Sequence, residues 1–110
     1  RGVMPGVAID LFTDDPPDDP VFDRVHRLDR VSRRPKMEAL RRSRFARTLY
    51  LDCDVVALAD VGDVLDVLDR FDLAAAHENR RNGPLARRVD PAAPPPAFPQ
   101  VNSGVLAVRR

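Results

Sequence analysis

The stretch RTLYLDCDVVALAD, residues 47–60, decides how the rest of the chain is interpreted. Its residues 48–51, TLYL, have the β-branched, aromatic and aliphatic content of a strand buried on both faces. Asp52 and Asp54 follow this strand directly and flank Cys53. Two carboxylates at the end of a buried strand are unfavourable unless a cation or a proton neutralises them. On an extended chain both aspartates share one side, and Cys53 faces away from them as a packing residue.

The length and composition set the broad class of the protein. A chain of 110 residues with 44% apolar and 32% charged residues is compatible with one globular domain. Because it begins with Arg1 and stops just after an apolar run, we expect residues 1–110 to be a single partial domain, truncated at both ends. The single cysteine excludes an internal disulfide and a cysteine-rich zinc site. No run approaches the roughly 18 apolar residues of a membrane span, so we expect no span and take the cytoplasm as the default compartment.

The net charge of +1 conceals an uneven distribution of charge. Acidic residues crowd the loop TDDPPDDP, residues 13–20, whereas basic residues outnumber acidic ones from Arg24 to Arg47. The basic stretch carries no signature of a known nucleic-acid-binding module. We therefore expect no nucleic-acid partner and interpret the stretch as a solvated basic face that can meet a phosphate-bearing ligand.

Short apolar runs alternate with segments of helical spacing along the chain. Ser32 and Pro35 predict a helix start, and Met37 and Leu40 are the positions we expect to face inward. Residues 21–31 fit a helix and short strands equally well. The prolines between Pro91 and Pro99 predict an irregular, proline-rich loop over residues 79–99. The predicted strands are 6–12, 48–51, 72–76 and 104–108, and the predicted helices are 36–46 and 61–71.

The order strand, helix, strand, helix, strand predicts an α/β fold with a mostly parallel, doubly wound sheet in a Rossmann-like α/β/α arrangement of three layers. Ligands bind such sheets at the carboxyl ends of the strands. Asp52 and Asp54 fall at such an end. Carboxylates there can hold a divalent cation whose remaining positions go to substrate phosphates.

LYLDCDVV, followed by GDVLDVLDRFDLAAA and later by FPQVNSGVLAVRR, resembles the nucleotide-diphospho-sugar transferases of the GT-A type. These are glycosyltransferases with an aspartate-any-aspartate metal motif. GVAIDLFTDD resembles an early strand of that family, and RRPKMEAL resembles the helix before the metal motif. The resemblance therefore covers most of Gly6 to Arg110. The ordered set is more specific than an aspartate pair alone, since other closely spaced aspartates, such as Asp60 and Asp63 three residues apart, lie nearby.

The resemblance implies an incomplete GT-A fold and a metal site. Asp52 and Asp54 would bind a divalent cation, Mn²⁺ or Mg²⁺, which holds the diphosphate of a nucleotide-sugar donor. Asp54 would be the direct metal ligand, and Asp52 would contact the metal or the ribose. The metal would act as a Lewis acid on the departing nucleoside diphosphate.

The same resemblance implies contacts to the donor and its sugar. Lys36 matches the family's basic position before the metal motif, and a flexible point charge suits a phosphate. Asn102 would hydrogen-bond the donor sugar or the acceptor, since an amide both donates and accepts. Gly104 would let the backbone approach the sugar closely. The implied donor and sugar contacts are Lys36, Asn102, Ser103, Gly104, His77 and Glu78.

The chain departs from the family pattern in two respects. Where an acidic residue commonly follows the alanine-rich strand, this chain has His77 and then Glu78. The nucleotide-binding first strand expected before Gly6 is missing, as is everything after Arg110. We therefore expect a glycosyltransferase fragment that is inactive alone, with an unknown acceptor and no carboxylate that can be named as general base.

Three other interpretations stay open. Phosphatases and phosphotransferases of the haloacid dehalogenase type also have a strand that ends in paired aspartates, one of which becomes phosphorylated. Their motif normally follows the first strand, and the Asn-Ser-Gly stretch has no place in it. A non-catalytic remnant of the glycosyltransferase fold is the second. In the third, purely structural interpretation, Asp52 and Asp54 lie in a strand-end turn, Asn102 caps a turn and Gly104 forms a bulge.

Overall fold

A computed structural model describes residues 2–29, 35–78 and 101–110. The segment that fitted a helix and a strand equally well is a strand, Arg24–Arg27. No helix within the described ranges is long and apolar enough to cross a membrane. The elements in chain order are β1 (Asp10–Thr13), β2 (Arg24–Arg27), α1 (Pro35–Arg42), β3 (Arg47–Leu51), a 3₁₀ helix (Gly62–Asp69), β4 (Leu73–His77) and β5 (Val101–Arg109).

The strands form two sheets rather than one. β1 and β2 pair in parallel, whereas β5 lies between β3 and β4 and runs antiparallel to both. The predicted Rossmann-like, mostly parallel α/β/α fold of the GT-A type is therefore wrong. β3 and β4 do run in the same direction, but β5 enters between them in the opposite one. Short apolar strands such as β5 have the same composition in either direction, so the sequence pattern did not reveal this.

The predicted elements of this three-stranded sheet are otherwise close to those observed. β3 and β4 match the predicted runs within a residue, and β5 begins earlier, at Val101. β3 is half-buried rather than buried on both faces, with Leu51 36% exposed. The predicted helix over residues 61–71 is a 3₁₀ helix whose Leu68 is fully buried. The proline-rich loop predicted for residues 79–99 and the helix start at Ser32 lie outside the described residues.

Helix α1 turns Lys36 inward rather than Met37. Met37 is 54% exposed, whereas Ala39 is 5% exposed, so the inward position expected for Met37 is wrong. Lys36, Ala39 and Ser43 recur at helical spacing and line one cleft with residues of β1 and β3. A charged side chain can point inward when oxygen atoms there bind it. The carboxylate oxygens of Asp52 bind Lys36 in this way.

The carboxyl end of α1 is held by the last residue of the chain. The guanidinium of Arg110 donates to the carbonyl of Ser43 at 2.6 Å and to that of Arg41 at 2.9 Å. Carbonyls at the end of a helix lack intrahelical donors, and an arginine can satisfy them. β5 therefore fixes the position of α1 as well as joining the two other strands of its sheet.

Asp10 ties the two-stranded sheet to the segment before β3. Its side chain is 4% exposed and accepts hydrogen bonds from Arg44 Nε at 2.9 Å and Nη2 at 3.0 Å. His26 Nε2 lies 3.2 Å from the same carboxylate, and its ring stacks on Phe12. Burial raises the pKa of Asp10, but the hydrogen bonds from Arg44 and His26 outweigh burial and lower the pKa below its ordinary value. Asp10 is therefore an ionised anchor between the sheets.

Asp10→Asn should lower the free energy of unfolding by about 1–3 kcal/mol at neutral pH, because Arg44 loses a charged partner. The pKa of Asp10 is lower in the folded than in the unfolded state. Its contribution to stability is therefore present above the unfolded value, near 3.8, and is lost as the pH falls through the folded pKa. Urea unfolding at neutral and acidic pH measures both effects.

The matched control is Asp18→Asn, which removes an exposed carboxylate of the acidic loop. We expect the control to unfold as the wild type does at both pH values. Acidification should lower the free energy of unfolding less in Asp10→Asn than in the wild type. An identical loss in the wild type and in Asp10→Asn would contradict the assignment of Asp10 as an ionised anchor.

Candidate functional site

The end of β3 is a turn, not a continued extended strand. The carbonyl of Asp52 accepts the N–H of Val55 at 3.0 Å, which places Cys53 and Asp54 at the corners of a four-residue turn. Both corner residues are exposed. The interpretation of Cys53 as a packing residue is therefore wrong, because the alternation of an extended strand does not hold beyond Leu51.

Asp52 is held by two neighbours as an ionised carboxylate. Tyr50 Oη donates to its Oδ1 at 2.8 Å, and Lys36 Nζ lies 3.2 Å from both Oδ1 and Oδ2. The hydrogen bond from Tyr50 lowers the pKa of Asp52; burial opposes this, and the hydrogen bond and charge of Lys36 add to the lowering. Burial and the bond to Asp52 in turn raise the pKa of Tyr50 well above its ordinary value.

Lys36 connects the aspartate pair to the start of β5. Its Nζ donates to the carbonyl of Ser103 at 3.0 Å and to Ser103 Oγ at 2.9 Å. Four oxygens thus surround one ammonium, two from Asp52 and two from Ser103. Lys36 precedes Asp52 by 16 residues and Ser103 by 67, so the fold brings together motifs that are far apart in the sequence.

Gly104 lets the end of β3 approach β5. Its N–H donates to Asn102 Oδ1 at 2.8 Å, and its carbonyl accepts the N–H of Asp52 at 2.9 Å. A Cβ at Gly104 would lie 3.0 Å from Asn102 Oδ1 and 3.2 Å from Asp52 Oδ2, which is tighter than most Cβ contacts and would require these side chains to shift by a few tenths of an ångström. The absence of a side chain at this position therefore permits the contact between the two motifs.

β5 bulges at the same place. Ala75 of β4 pairs with Leu106, but Ala76 pairs with Asn102, so residues 103–105 have no partner in β4. The bulge turns Ser103 toward Lys36. The strand-end turn, the capped turn at Asn102 and the bulge expected by the purely structural interpretation are thus all observed, at the residues predicted to bind the donor.

His77 and Glu78 lie on the neighbouring strand rather than in the Lys36 cluster. His77 ends β4, opposite Val101, and is exposed. Glu78 follows it and is half-buried. No hydrogen bond or ion pair between described residues joins His77 to Lys36 or Asp52. The pair therefore flanks Asn102 at the side of the site.

Lys36, Tyr50 and Asp52 of this cluster line a cleft of about 1230 Å³ between β1, α1 and β3, whereas Asn102, Ser103 and Gly104 are not part of its wall. A volume of that size exceeds what a drug-sized ligand fills. Lys36, Asp52 and Asp54 line it at one end, and most of its remaining wall is apolar, including Phe12 and Leu49. The arrangement presents one ammonium and two carboxylates to anything that enters the cleft.

The oxygen donors around Lys36 and on the adjacent turn are of the kind that a hard divalent cation accepts. Carboxylates of Asp52 and Asp54 and the carbonyl and hydroxyl of Ser103 are the oxygen ligands that Mg²⁺ and Mn²⁺ accept. Nowhere in the described part of the chain do three His, Cys, Asp or Glu side chains form a group able to hold a metal. A cation here would therefore depend on ligand phosphates for its remaining positions, as Mg²⁺ commonly does.

Tyr50 is a site residue that sequence reasoning missed. It was counted only as an aromatic residue of a buried strand. Residues two apart in a strand point to the same side, so its position two residues before Asp52 was the signal available. Its hydroxyl fixes the orientation of the carboxylate while its ring lies 5.6 Å from Lys36 Nζ.

The alkaline titration of Tyr50 tests the geometry around Asp52. The chain has one tyrosine and no tryptophan, so its tyrosinate absorbance reports Tyr50 alone. We expect a pKa well above the ordinary value of about 10. Asp52→Asn should lower that pKa but leave it raised, because burial is the larger cause. Asp54→Asn should leave it unchanged, and an equal effect of both variants would contradict the Tyr50–Asp52 hydrogen bond.

Gly104→Ala should destabilise the fold by about 1–3 kcal/mol, because the added Cβ must displace Asn102 or Asp52. Urea unfolding followed by circular dichroism measures the change. Gly2→Ala is the matched control, since a Cβ at Gly2 meets nothing within 4 Å. Equal stability of both variants and the wild type would show that β3 and β5 do not approach as closely as described.

Comparison with known proteins adds no relative from which the site could be interpreted. Neither the models of protein families, nor the curated proteins, nor the solved structures contain a match to this chain. The candidate site is therefore assigned from its own geometry: Lys36 binds both Asp52 and Ser103, next to the turn that carries Asp54.

Proposed function

We propose that this chain provides the donor site of a glycosyltransferase, which moves a sugar from a nucleotide-diphosphate donor to an acceptor with the help of Mn²⁺ or Mg²⁺ at Asp52 and Asp54. One observation carries the proposal: Lys36 bonds to Asp52 and to Ser103 at the same time. The aspartate pair and the Asn-Ser-Gly stretch, whose ordered occurrence resembles such transferases, therefore meet at one point of the fold.

Purely structural roles account for only part of this arrangement. A strand-end turn needs the backbone of Asp52, and a capped turn needs Oδ1 of Asn102. Neither requires an ammonium 3.2 Å from both carboxylate oxygens, nor a tyrosine hydroxyl on one of them. Ionised, ordered groups at the end of an open cleft are typical of sites that bind charged ligands.

Lys36 and the two aspartates have different roles toward the diphosphate in this proposal. The Lys36 ammonium reaches into the cleft from a flexible stem and attracts phosphate oxygens. Tyr50 keeps Asp52 ionised and oriented, and Asp54 offers an exposed carboxylate from the adjacent turn. A divalent cation, when bound, would offset the negative charge that develops on the departing nucleoside diphosphate.

The start of β5 faces the sugar in this proposal. Oδ1 of Asn102 already accepts the N–H of Gly104, so its amide nitrogen is the group that can donate to a sugar hydroxyl. Ser103 Oγ accepts from Lys36 and keeps its own proton to donate. His77 and Glu78 stand beside Asn102 on the next strand, where they can meet a sugar that extends past β5.

The Lys36–Asp52 contact also favours one other enzyme class. In a phosphatase or phosphotransferase of the haloacid dehalogenase type, the first aspartate would be the nucleophile and Lys36 would bind the phosphoryl group. Such an enzyme would act on simple phosphate esters without needing a nucleoside. A non-catalytic remnant, by contrast, would bind a nucleotide sugar without turnover.

Calorimetric titration of UDP and GDP into the chain, with and without Mn²⁺, tests the donor site. We expect binding that requires the metal and that weakens roughly tenfold or more in Asp54→Asn. That variant removes one charge and almost no volume, so its circular dichroism should match the wild type. Asp63→Asn, which removes an exposed carboxylate from the 3₁₀ helix, is the matched control and should bind as the wild type does.

Other results would reject the proposal. A folded chain that binds neither UDP nor GDP in the presence of Mn²⁺ would reject a donor site for these two nucleotides within residues 1–110. Hydrolysis of an aryl phosphate, lost in Asp52→Asn, would instead establish the phosphatase class. Equal nucleotide affinity of the wild type and of Asp54→Asn would show that Asp54 does not take part in binding.

A further inference from the structure

We infer that Lys36 and a divalent cation compete for the same oxygens of Asp52 and Ser103, and that a diphosphate relieves this competition by drawing the ammonium of Lys36 away. The inference rests on the proposed function and adds a regulation to it. Metal and nucleotide would each bind weakly alone and tightly together, because one positive charge must leave Asp52 before another can take its place.

The oxygens around Lys36 Nζ are the first support for this competition. Both carboxylate oxygens of Asp52 lie at 3.2 Å, the Ser103 carbonyl at 3.0 Å and Ser103 Oγ at 2.9 Å. An ammonium has three protons to donate, so these four oxygens saturate it. A carboxylate, a carbonyl and a hydroxyl are also the groups that hold hard divalent cations.

Lys36 and a metal cannot share Asp52 at these distances. A cation bound to Asp52 at about 2.0–2.6 Å would lie within a few ångströms of an ammonium that contacts both oxygens of the same carboxylate. Like charges that close repel strongly in a partly buried site. Tyr50 occupies a further lone pair of Oδ1, which leaves Asp52 little capacity for both cations together.

Lys36 is able to leave. Its side chain is 26% exposed, it lines the cleft, and a lysine stem rotates freely about four carbons. A diphosphate in the cleft offers the ammonium several charged oxygens in exchange for those of Asp52. Asp54 stays on its exposed turn during the exchange and lines the same cleft. Thermodynamic linkage then requires the nucleotide to tighten metal binding by the same factor as the metal tightens nucleotide binding.

Electron paramagnetic resonance of free Mn²⁺ measures metal binding directly, without any enzyme assay. We expect Lys36→Gln to bind Mn²⁺ roughly tenfold more tightly than the wild type in the absence of nucleotide. UDP should tighten Mn²⁺ binding of the wild type by a larger factor than that of Lys36→Gln, because its phosphates can ligate the metal in both but displace the Lys36 ammonium only in the wild type. Lys36→Arg keeps the charge and should show no gain. Arg41→Gln removes an exposed charge from the same helix and should also show none.

Two further variants keep the test decisive. Lys36→Met retains the apolar stem and replaces Lys36→Gln if circular dichroism shows that glutamine disturbs α1. Adding Asp52→Asn to the charge-free variant should abolish its gain in Mn²⁺ affinity. A gain that survives Asp52→Asn would place the metal elsewhere and overturn the inference, as would folded charge-free variants that bind Mn²⁺ no more tightly than the wild type.

The outcomes also separate this inference from the proposed function. Metal-dependent binding of UDP by the wild type, with no gain on loss of the Lys36 charge, would keep the donor site and overturn the competition. A gain that depends on Asp52, with no effect of UDP or GDP on any variant, would establish the competition between Lys36 and metal and reject both the nucleotide donor and its relief by a diphosphate.

Discussion

The ion pair between Lys36 and Asp52 attaches helix α1 to the end of β3 and, through Ser103, to the start of β5, two strands that already pair in one sheet. At the other end of the helix, Arg110 holds the carbonyls of Arg41 and Ser43. Lys36 and Ser43 are separated by seven residues, as are Ser103 and Arg110. Seven residues span about 10 Å of helix but about 23 Å of strand. The long side chains of Lys36 and Arg110 bridge part of that difference, so α1 is tied near both of its ends to residues of and after β5.

The close approach of β3 and β5 depends on Gly104, which lies between the two motifs. Its missing side chain lets Asp52 and Asn102 come within 3.2 and 3.0 Å of where a Cβ would stand. Asn102 serves the same approach by accepting the N–H of Gly104, and the bulge over residues 103–105 turns Ser103 toward Lys36. Structural and chemical roles therefore fall on the same residues. Asn102 is exposed and uses its amide oxygen for the turn, so its amide nitrogen is still able to donate and the two interpretations of this residue are compatible.

The sequence predicted the positions of helices, strands and turns far better than the pairing and direction of the strands. A helix at Pro35, a strand that ends at the aspartate pair and a strand that opens at Asn-Ser-Gly follow from turn chemistry and composition, which are local. The direction of β5 depends on tertiary pairing, and its short apolar run looks the same parallel or antiparallel. Met37 was expected inside because it is apolar, yet the inward face of α1 is set by the oxygen partners of Lys36. Alternation correctly relates Tyr50 to Asp52 but fails at Cys53, because the chain turns there.

The side chain of Asp52 is 35% exposed at the end of a half-buried strand, and the groups around it stabilise its ionised form. Lys36 supplies a positive charge from a flexible stem, and Tyr50 adds a hydrogen bond that does not depend on it. An exchange of the ammonium for a divalent cation would keep Asp52 neutralised throughout, so the fold would not lose the link between β3 and β5. The attachment of α1 through Arg110 uses backbone carbonyls outside the site, and the backbone bond from Asp52 to Gly104 uses no side chain. Both would persist if Lys36 turned to a phosphate. The aspartate pair can therefore serve a ligand without loosening the framework that positions it.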